Sequence, residues 1–310
     1  MKKSFLFLTA LLLAAVACAQ ERHIATTDGV DLYVNVKGKG IPCLYLHGGP
    51  GSGSYWLEKF AGDSLEKHFR MIYLDQRGVG RSTSPADGNF TMERMVKDFE
   101  EVREALGISR WVTLGNSFGG LLQMGYALRH PSAVEAMVMI NCSLNMGMNF
   151  KTSWCPKACE FLGITDRSYY EDESIPLHIR WDSLITTLNS SDLMWKMGFA
   201  SREEMDIMNS SYAEFSSWNS DFSEVAMRME DYAEDFTGAT AKVNMPVLFI
   251  YGTRDWMIGP EHYKMAAFPD MMLQSIDAVH LPFFGDNADI MKAISTFQKK
   301  YRLYNPGEAL

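Results

Sequence analysis

The stretch Trp111-Val112-Thr113-Leu114-Gly115-Asn116-Ser117-Phe118-Gly119-Gly120 decides how this chain is read. A short run suited to a buried strand ends at Leu114. A serine follows between two glycines, and from Phe118 to Leu128 the apolar residues recur at helical spacing. Glycines permit a tight strand-to-helix turn that presents the serine hydroxyl for nucleophilic attack. The five-residue pattern alone carries little weight. With Gly and Ser each near 7% of residues, it arises by chance in roughly one 300-residue chain in ten. The strand–turn–helix setting is what gives it meaning.

Outward from Ser117, similar apolar runs lie at Cys43–Leu46, Met71–Leu74 and Met137–Ile140, and a second helical pattern covers Met92–Leu106. Apolar runs alternating with helices indicate βαβ units and a parallel sheet buried on both faces. Before them, two alternating stretches flank Asp28-Gly29, the signature of a hairpin. Past Cys142 the alternation stops. From Ser143 to about Lys242 the chain is rich in Met, Trp, Tyr, Ser and acids and shows only helix-like periodicity. Alternation resumes with a strand at Val247–Tyr251, a helix from Pro260, a strand at Met271–Ile276 and a last helix from Asn287. The expected organisation is an α/β core at 20–142 and 243–310, interrupted by a helical cap insertion at 143–242. Such an insertion would sit over the carboxyl ends of the strands, where open sheets bind ligands.

If Ser117 is a nucleophile, its acid and base should follow in the order Ser, Asp, His. Asp255 comes just after the strand Val247–Tyr251, and His280 just after the next strand. His280 would take the Ser117 proton, while Asp255 would orient the imidazole and stabilise its cation. Of seven histidines, His23, His68, His130, His178 and His262 lie outside strand ends on the carboxyl side. Asp277 is too near His280 along the chain for the partner role. His47-Gly48-Gly49-Pro50-Gly51 follows the strand Cys43–Leu46. There the amide of Gly49, with that of Phe118, would form an oxyanion hole.

These residues resemble a known family. His47-Gly-Gly-Pro-Gly51, then Asp75-Gln76-Arg77-Gly78-Val79-Gly80-Arg81-Ser82, then the serine turn, are similar in order and spacing to the proline iminopeptidase (prolyl aminopeptidase) family of α/β-hydrolase serine peptidases. The resemblance runs from about residue 23 to 300. It implies an α/β-hydrolase fold, a mostly parallel sheet with helices on both faces and an inserted helical cap. It also implies release of an N-terminal residue, often proline, from small peptides without metal or cofactor. Cap carboxylates would hold the substrate's ammonium group. Three positions depart from the family's habit. Phe118 stands where Trp is common, Val279 where Gly is usual before the histidine, and Trp218 is followed by Asn219 where a Trp-Glu pair would be expected.

Composition is consistent with that expectation. Between Phe150 and Thr240 there are 17 Asp and Glu against 7 Lys and Arg, which accounts for nearly all of the chain's acidic excess. Carboxylates in a partly desolvated pocket would attract an ammonium group. Most of them must still be solvated surface. Glu214, Glu224 and Glu230, each near aromatic residues or methionines, are the candidates. A formal charge of −9 argues against nucleic acid as a partner. The expected substrate is a small peptide, or an amino-acid amide or ester. An esterase or amidase with the same three residues is the alternative, since a cap rich in Met194, Trp195, Met197, Phe199, Phe215 and Trp218 would suit an uncharged acyl group. A non-catalytic binding protein on the same fold is a remote third.

Residues 1–19 carry Lys2 and Lys3, an apolar run from Phe5 to Val16, and small residues, the pattern of a signal peptide. Cleavage after Ala19 would leave Gln20 first and a charge of about −11. Lipidation of Cys18 is the other reading and would be the protein's one tie to a membrane. Either route exports the chain to the periplasm or anchors it by lipid in the bacterial envelope. Of the remaining cysteines, Cys43 and Cys142 fall in apolar runs as buried thiols. Cys155 and Cys159 are placed for neither zinc nor an assured disulfide.

Overall fold

The computed structural model describes residues 20–285 and 287–304. The expected export signal, Cys18 included, lies outside them. Eight strands form one sheet: β1 (Gln20–Ala25), β2 (Asp31–Gly38), β3 (Ile41–Leu46), β4 (Phe69–Leu74), β5 (Trp111–Ser117), β6 (Val134–Cys142), β7 (Val247–Gly252) and β8 (Met271–Ile276). Their order across the sheet is β1-β2-β4-β3-β5-β6-β7-β8. The hairpin expected at Asp28-Gly29 pairs β1 with β2 antiparallel, and β2 also runs antiparallel to β4. The other pairs are parallel.

Parallel strands need both faces covered, and the sequence supplies two sets of helices. Helices α2 (Met92–Ala105) and α3 (Gly119–Arg129) bring Phe99, Leu121, Leu122 and Tyr126 into one apolar layer with Trp111 and Met137. On the other face, α1 (Tyr55–Leu65) and α11 (Ala288–Tyr301) contribute Trp56, Leu57, Ile294 and Phe297 against Tyr45, Val112 and Ile250. Helix α1 goes beyond the elements expected from periodicity.

Between β6 and β7 the described chain forms only helical elements. These are α4 (Met146–Asn149), a π-turn at Phe150–Trp154, α5 (Cys155–Leu162), α6 (Ser168–Glu171), α7 (Leu177–Ser190), α8 (Trp195–Gly198), α9 (Arg202–Ser211), α10 (Asp221–Ala226) and short 3-10 turns. One expected element is corrected. The helix from Pro260 is a single 3-10 turn, His262–Met265. The amide of Ala267 donates to Thr240 Oγ1 at 2.8 Å, so it is not free for the carbonyl that would continue an α-helix. The four described cysteines are buried free thiols.

Candidate functional site

Ser117 closes β5 with φ +55°, a left-handed conformation costly for a residue with a side chain. Pairing with β6 shifts register between Asn116 and Ser117, so Ser117 lies opposite Cys142. The Ser117 carbonyl then accepts from the Ser143 amide at 2.9 Å, and Asn116 Nδ2 donates to the Ile140 carbonyl at 2.9 Å. The turn leaves no room for side chains beside it. A Cβ on Gly119 would fall 2.1 Å from the Leu46 carbonyl oxygen, and one on Gly48 would fall 2.8 Å from Ser117 Cβ. Ser117 is thus pressed against the glycine-rich loop that leaves β3.

The carboxyl ends of β7 and β8 deliver Asp255 and His280, both buried. His280 Nδ1 lies 3.0 Å from Asp255 Oδ1, and the same oxygen accepts the amides of Met257 and Ile258 at 3.0 and 3.1 Å. A carboxylate fixed this way holds Nδ1 protonated and leaves Nε2 as the basic nitrogen. Asp277, the competing acid, is exposed and paired with Arg254 at 2.9 Å.

One residue here was missed in the sequence. Asn141, in β6, donates through Nδ2 to the carbonyls of Val279 and His280 at 3.0 and 2.9 Å, and accepts the Gly252 amide at 2.7 Å. It clamps the ends of β7 and β8 to the strand beside Ser117. Its only signal in the sequence was a lone amide side chain at the end of an apolar strand.

The glycine-rich loop is held from beneath. His47 is buried, with Nε2 accepting the Gln76 amide at 3.2 Å and Nδ1 3.1 Å from the Gly48 carbonyl. Burial pushes its pKa down to about 4, so the ring is neutral near pH 7. Asp75 accepts the Ser54 amide and hydroxyl at 2.8 and 2.7 Å and Arg81 Nε at 2.7 Å. Burial works to raise the Asp75 pKa, but the Arg81 hydrogen bond and charge prevail and hold it below the ordinary value. Arg77, fully buried, pairs with Asp98 at 2.6 Å and Asp28 at 3.0 Å. The Asp75–Ser82 segment therefore braces loops. Gly49 adopts φ +112° at the carboxyl end of β3, and Phe118 caps α3, where amides lack an intrahelical partner. Both amides stand on elements that flank Ser117.

The helical segment reaches these loops directly. Gly80 and Asn219 form a β-bridge, Tyr212 donates to the Ser52 carbonyl at 3.0 Å, and Leu281 donates to the Gly198 carbonyl at 3.0 Å. Met197 and Phe199 are buried, and Trp218 packs with Tyr212 and Phe215. The three candidate carboxylates lie elsewhere: Glu214, Glu224 and Glu230 are all solvent-exposed. Glu214 is already engaged by Lys59 and the Tyr55 hydroxyl, which hold its pKa below the usual carboxylate range. An exposed carboxylate in water attracts an ammonium group weakly. Among the described residues, no group of three or more His, Cys, Asp or Glu is placed to hold a metal ion.

Residues 42–286 match the family described as alpha/beta hydrolase fold. A curated relative, a proline iminopeptidase of Neisseria meningitidis, is 41% identical over 102 residues, 32% of this chain and 32% of the relative. This chain thus matches about a third of that relative's length. Among solved structures, a proline iminopeptidase-related protein of Thermus thermophilus superposes with TM-score 0.73 at 21% identity, covering 91% of this chain and 98% of the other. An esterase of Rhodococcus superposes with TM-score 0.68 at 20% identity, covering 91% and 99%. At these identities the likeness is one of fold.

Proposed function

Since this chain belongs to the α/β-hydrolase fold family, we propose that it is a serine hydrolase releasing an N-terminal proline, or another small apolar residue, from short peptides. One arrangement carries the reading. Ser117 stands at a left-handed turn at the end of the central strand β5, and the end of β8, on the same side of the sheet, supplies a buried His280 fixed through Nδ1 by Asp255.

In the proposed reaction His280 Nε2 takes the Ser117 proton as Oγ attacks the carbonyl of the first residue. The amides of Gly49 and Phe118 receive the developing oxyanion. His280 then protonates the departing amine, leaving an acyl-enzyme on Ser117, and Asp255 stabilises the imidazolium in between. Water, deprotonated by His280, attacks the acyl carbon, and His280 returns that proton to Ser117 Oγ as the residue leaves. Each step uses residues of this chain alone. The peptide preference draws on the proline iminopeptidase name of the curated relative.

A second reading, an esterase or amidase acting on an uncharged acyl group, is favoured by one observation. Glu214, Glu224 and Glu230 are all exposed, so none forms a desolvated ammonium site. A matched panel separates the two: proline, alanine and leucine p-nitroanilides, their N-acetylated forms, and short p-nitrophenyl esters. Cleavage of the free-amine anilides, with the acetylated ones spared, is the expected result. Turnover of esters alone would keep the serine chemistry and overturn the aminopeptidase reading.

A further inference from the structure

The helical segment contains a cleft of about 620 Å³ between the α4–α5 stretch and α6–α7. Its lining includes Arg180, from the first turns of α7, which is only 9% exposed. Arg180 Nη1 donates to the Tyr170 carbonyl at 3.0 Å, while Nε is buried without a hydrogen-bond partner. Among the described residues no carboxylate lies within salt-bridge distance of it. The guanidinium is seated near the Phe150 ring, 5.5 Å from its centroid. The carboxylates of Asp172 and Glu173 act on it only through space, without an ion pair, and a buried cation without a directly bonded anion is costly. Arg77, buried elsewhere in the chain, shows the usual solution, two carboxylates at close range.

We propose that this cleft is a binding site for a small monocarboxylate with an apolar body, the carboxylate completing the Arg180 guanidinium. Two further features fit that ligand. Leu177 opens α7, a helix of 14 residues, so the positive end of the helix faces the same cleft. Met148, Phe150 and Leu177 line it with apolar surface, suited to an aliphatic or aromatic remainder. The rim sets the charge the site accepts. Glu171 and Glu173 stand there beside Lys151, with Lys151 held by Glu173 at 2.9 Å. Acidic groups at the mouth disfavour a dianion such as phosphate and tolerate an ammonium group on the ligand, so amino acids and peptide carboxyl ends are within the class. Ser117, Asp255 and His280 are not among its lining residues, and its occupancy does not depend on what Ser117 does.

The test is calorimetric titration of the full-length chain carrying Ser117→Ala, which removes turnover. The probes are N-acetyl-leucine (carboxylate only), leucinamide (ammonium only) and inorganic phosphate. N-acetyl-leucine is expected to bind, with leucinamide and phosphate weaker. Arg180→Met in the same background should weaken N-acetyl-leucine by about tenfold or more. Arg180→Lys, which keeps the cation without the planar fork, should fall between. Thermal unfolding of each variant shows that it is folded. Undiminished binding in Arg180→Met would overturn the proposal. So would equal binding of leucinamide, tighter binding of phosphate, or no binding of N-acetyl-leucine. If Arg180→Met does not fold, an unaltered affinity in Arg180→Lys is the overturning result.

Discussion

At Ser117 the backbone holds φ +55°, where a side chain is tolerated only when its surroundings enforce it. The Leu46 carbonyl, the Ser143 amide and the glycines on either side enforce it here. Asp255 holds His280 in a matching way, because one oxygen receives the His280 ring and two backbone amides. Asp255→Asn keeps an oxygen for the amides but lets the imidazole adopt the wrong tautomer. We expect kcat to fall by about 10⁴ with KM little changed and the melting temperature retained; steady-state kinetics beside a thermal melt checks this. The places of Ser117, Asp255 and His280 were legible because each sits where a strand gives way to a loop, and their proposed roles rest on their order along the chain. Asn141 was not. Its work is done across the sheet, on residues more than a hundred positions away. Glu214 misled for the same reason in reverse, since Lys59 and Tyr55, which engage it, come from a distant helix.

Strand β5, its turn and α3 act as one element, and the closeness of α3 to β3 is its defining dimension. Gly119→Ala would drive a methyl group into the Leu46 carbonyl oxygen, 2.1 Å away. We expect a loss of about 2 kcal/mol or more, or no folded protein. Gly238→Ala, with nothing within 4 Å of the new Cβ, should change stability by less than about 0.5 kcal/mol. Urea unfolding of the pair measures the contrast. Strands with continuous apolar runs were read correctly because only a doubly covered sheet accepts them. The segment after Pro260 was not, because tertiary contacts override its local preference. His262 Nε2 accepts the Leu144 amide at 2.9 Å, and Thr240 takes the Ala267 amide.

Across the whole molecule, two buried histidines link stability to pH. His47 lies under the glycine-rich loop and His262 between β6 and the loop of Asp255. Burial pushes the pKa of each down to about 4. Their folded values lie below the ordinary 6.5, so the unfolded chain binds protons that the folded one refuses. Stability is therefore full above pH 6.5, falls as pH drops toward 4, and stops falling on this account below it. Each histidine contributes up to about 3 kcal/mol of that loss. Chemical denaturation at pH 7.5 and 4.5 should show it, and His262→Gln, which keeps an acceptor for Leu144, should flatten the slope by about half. A slope unaltered in His262→Gln would place the titration elsewhere. The acidic balance of the helical segment, by contrast, was legible in the sequence as a total and not as a site. Charge counts do not say which carboxylates are buried.

Covalent labelling with a fluorophosphonate, followed by intact mass and peptide mapping, tests most directly whether Ser117 is the nucleophile. One adduct per chain is expected, located on Ser117, abolished in Ser117→Ala and slowed by orders of magnitude in His280→Ala. Adduct on another residue, or hydrolysis undiminished in Ser117→Ala, would contradict that role.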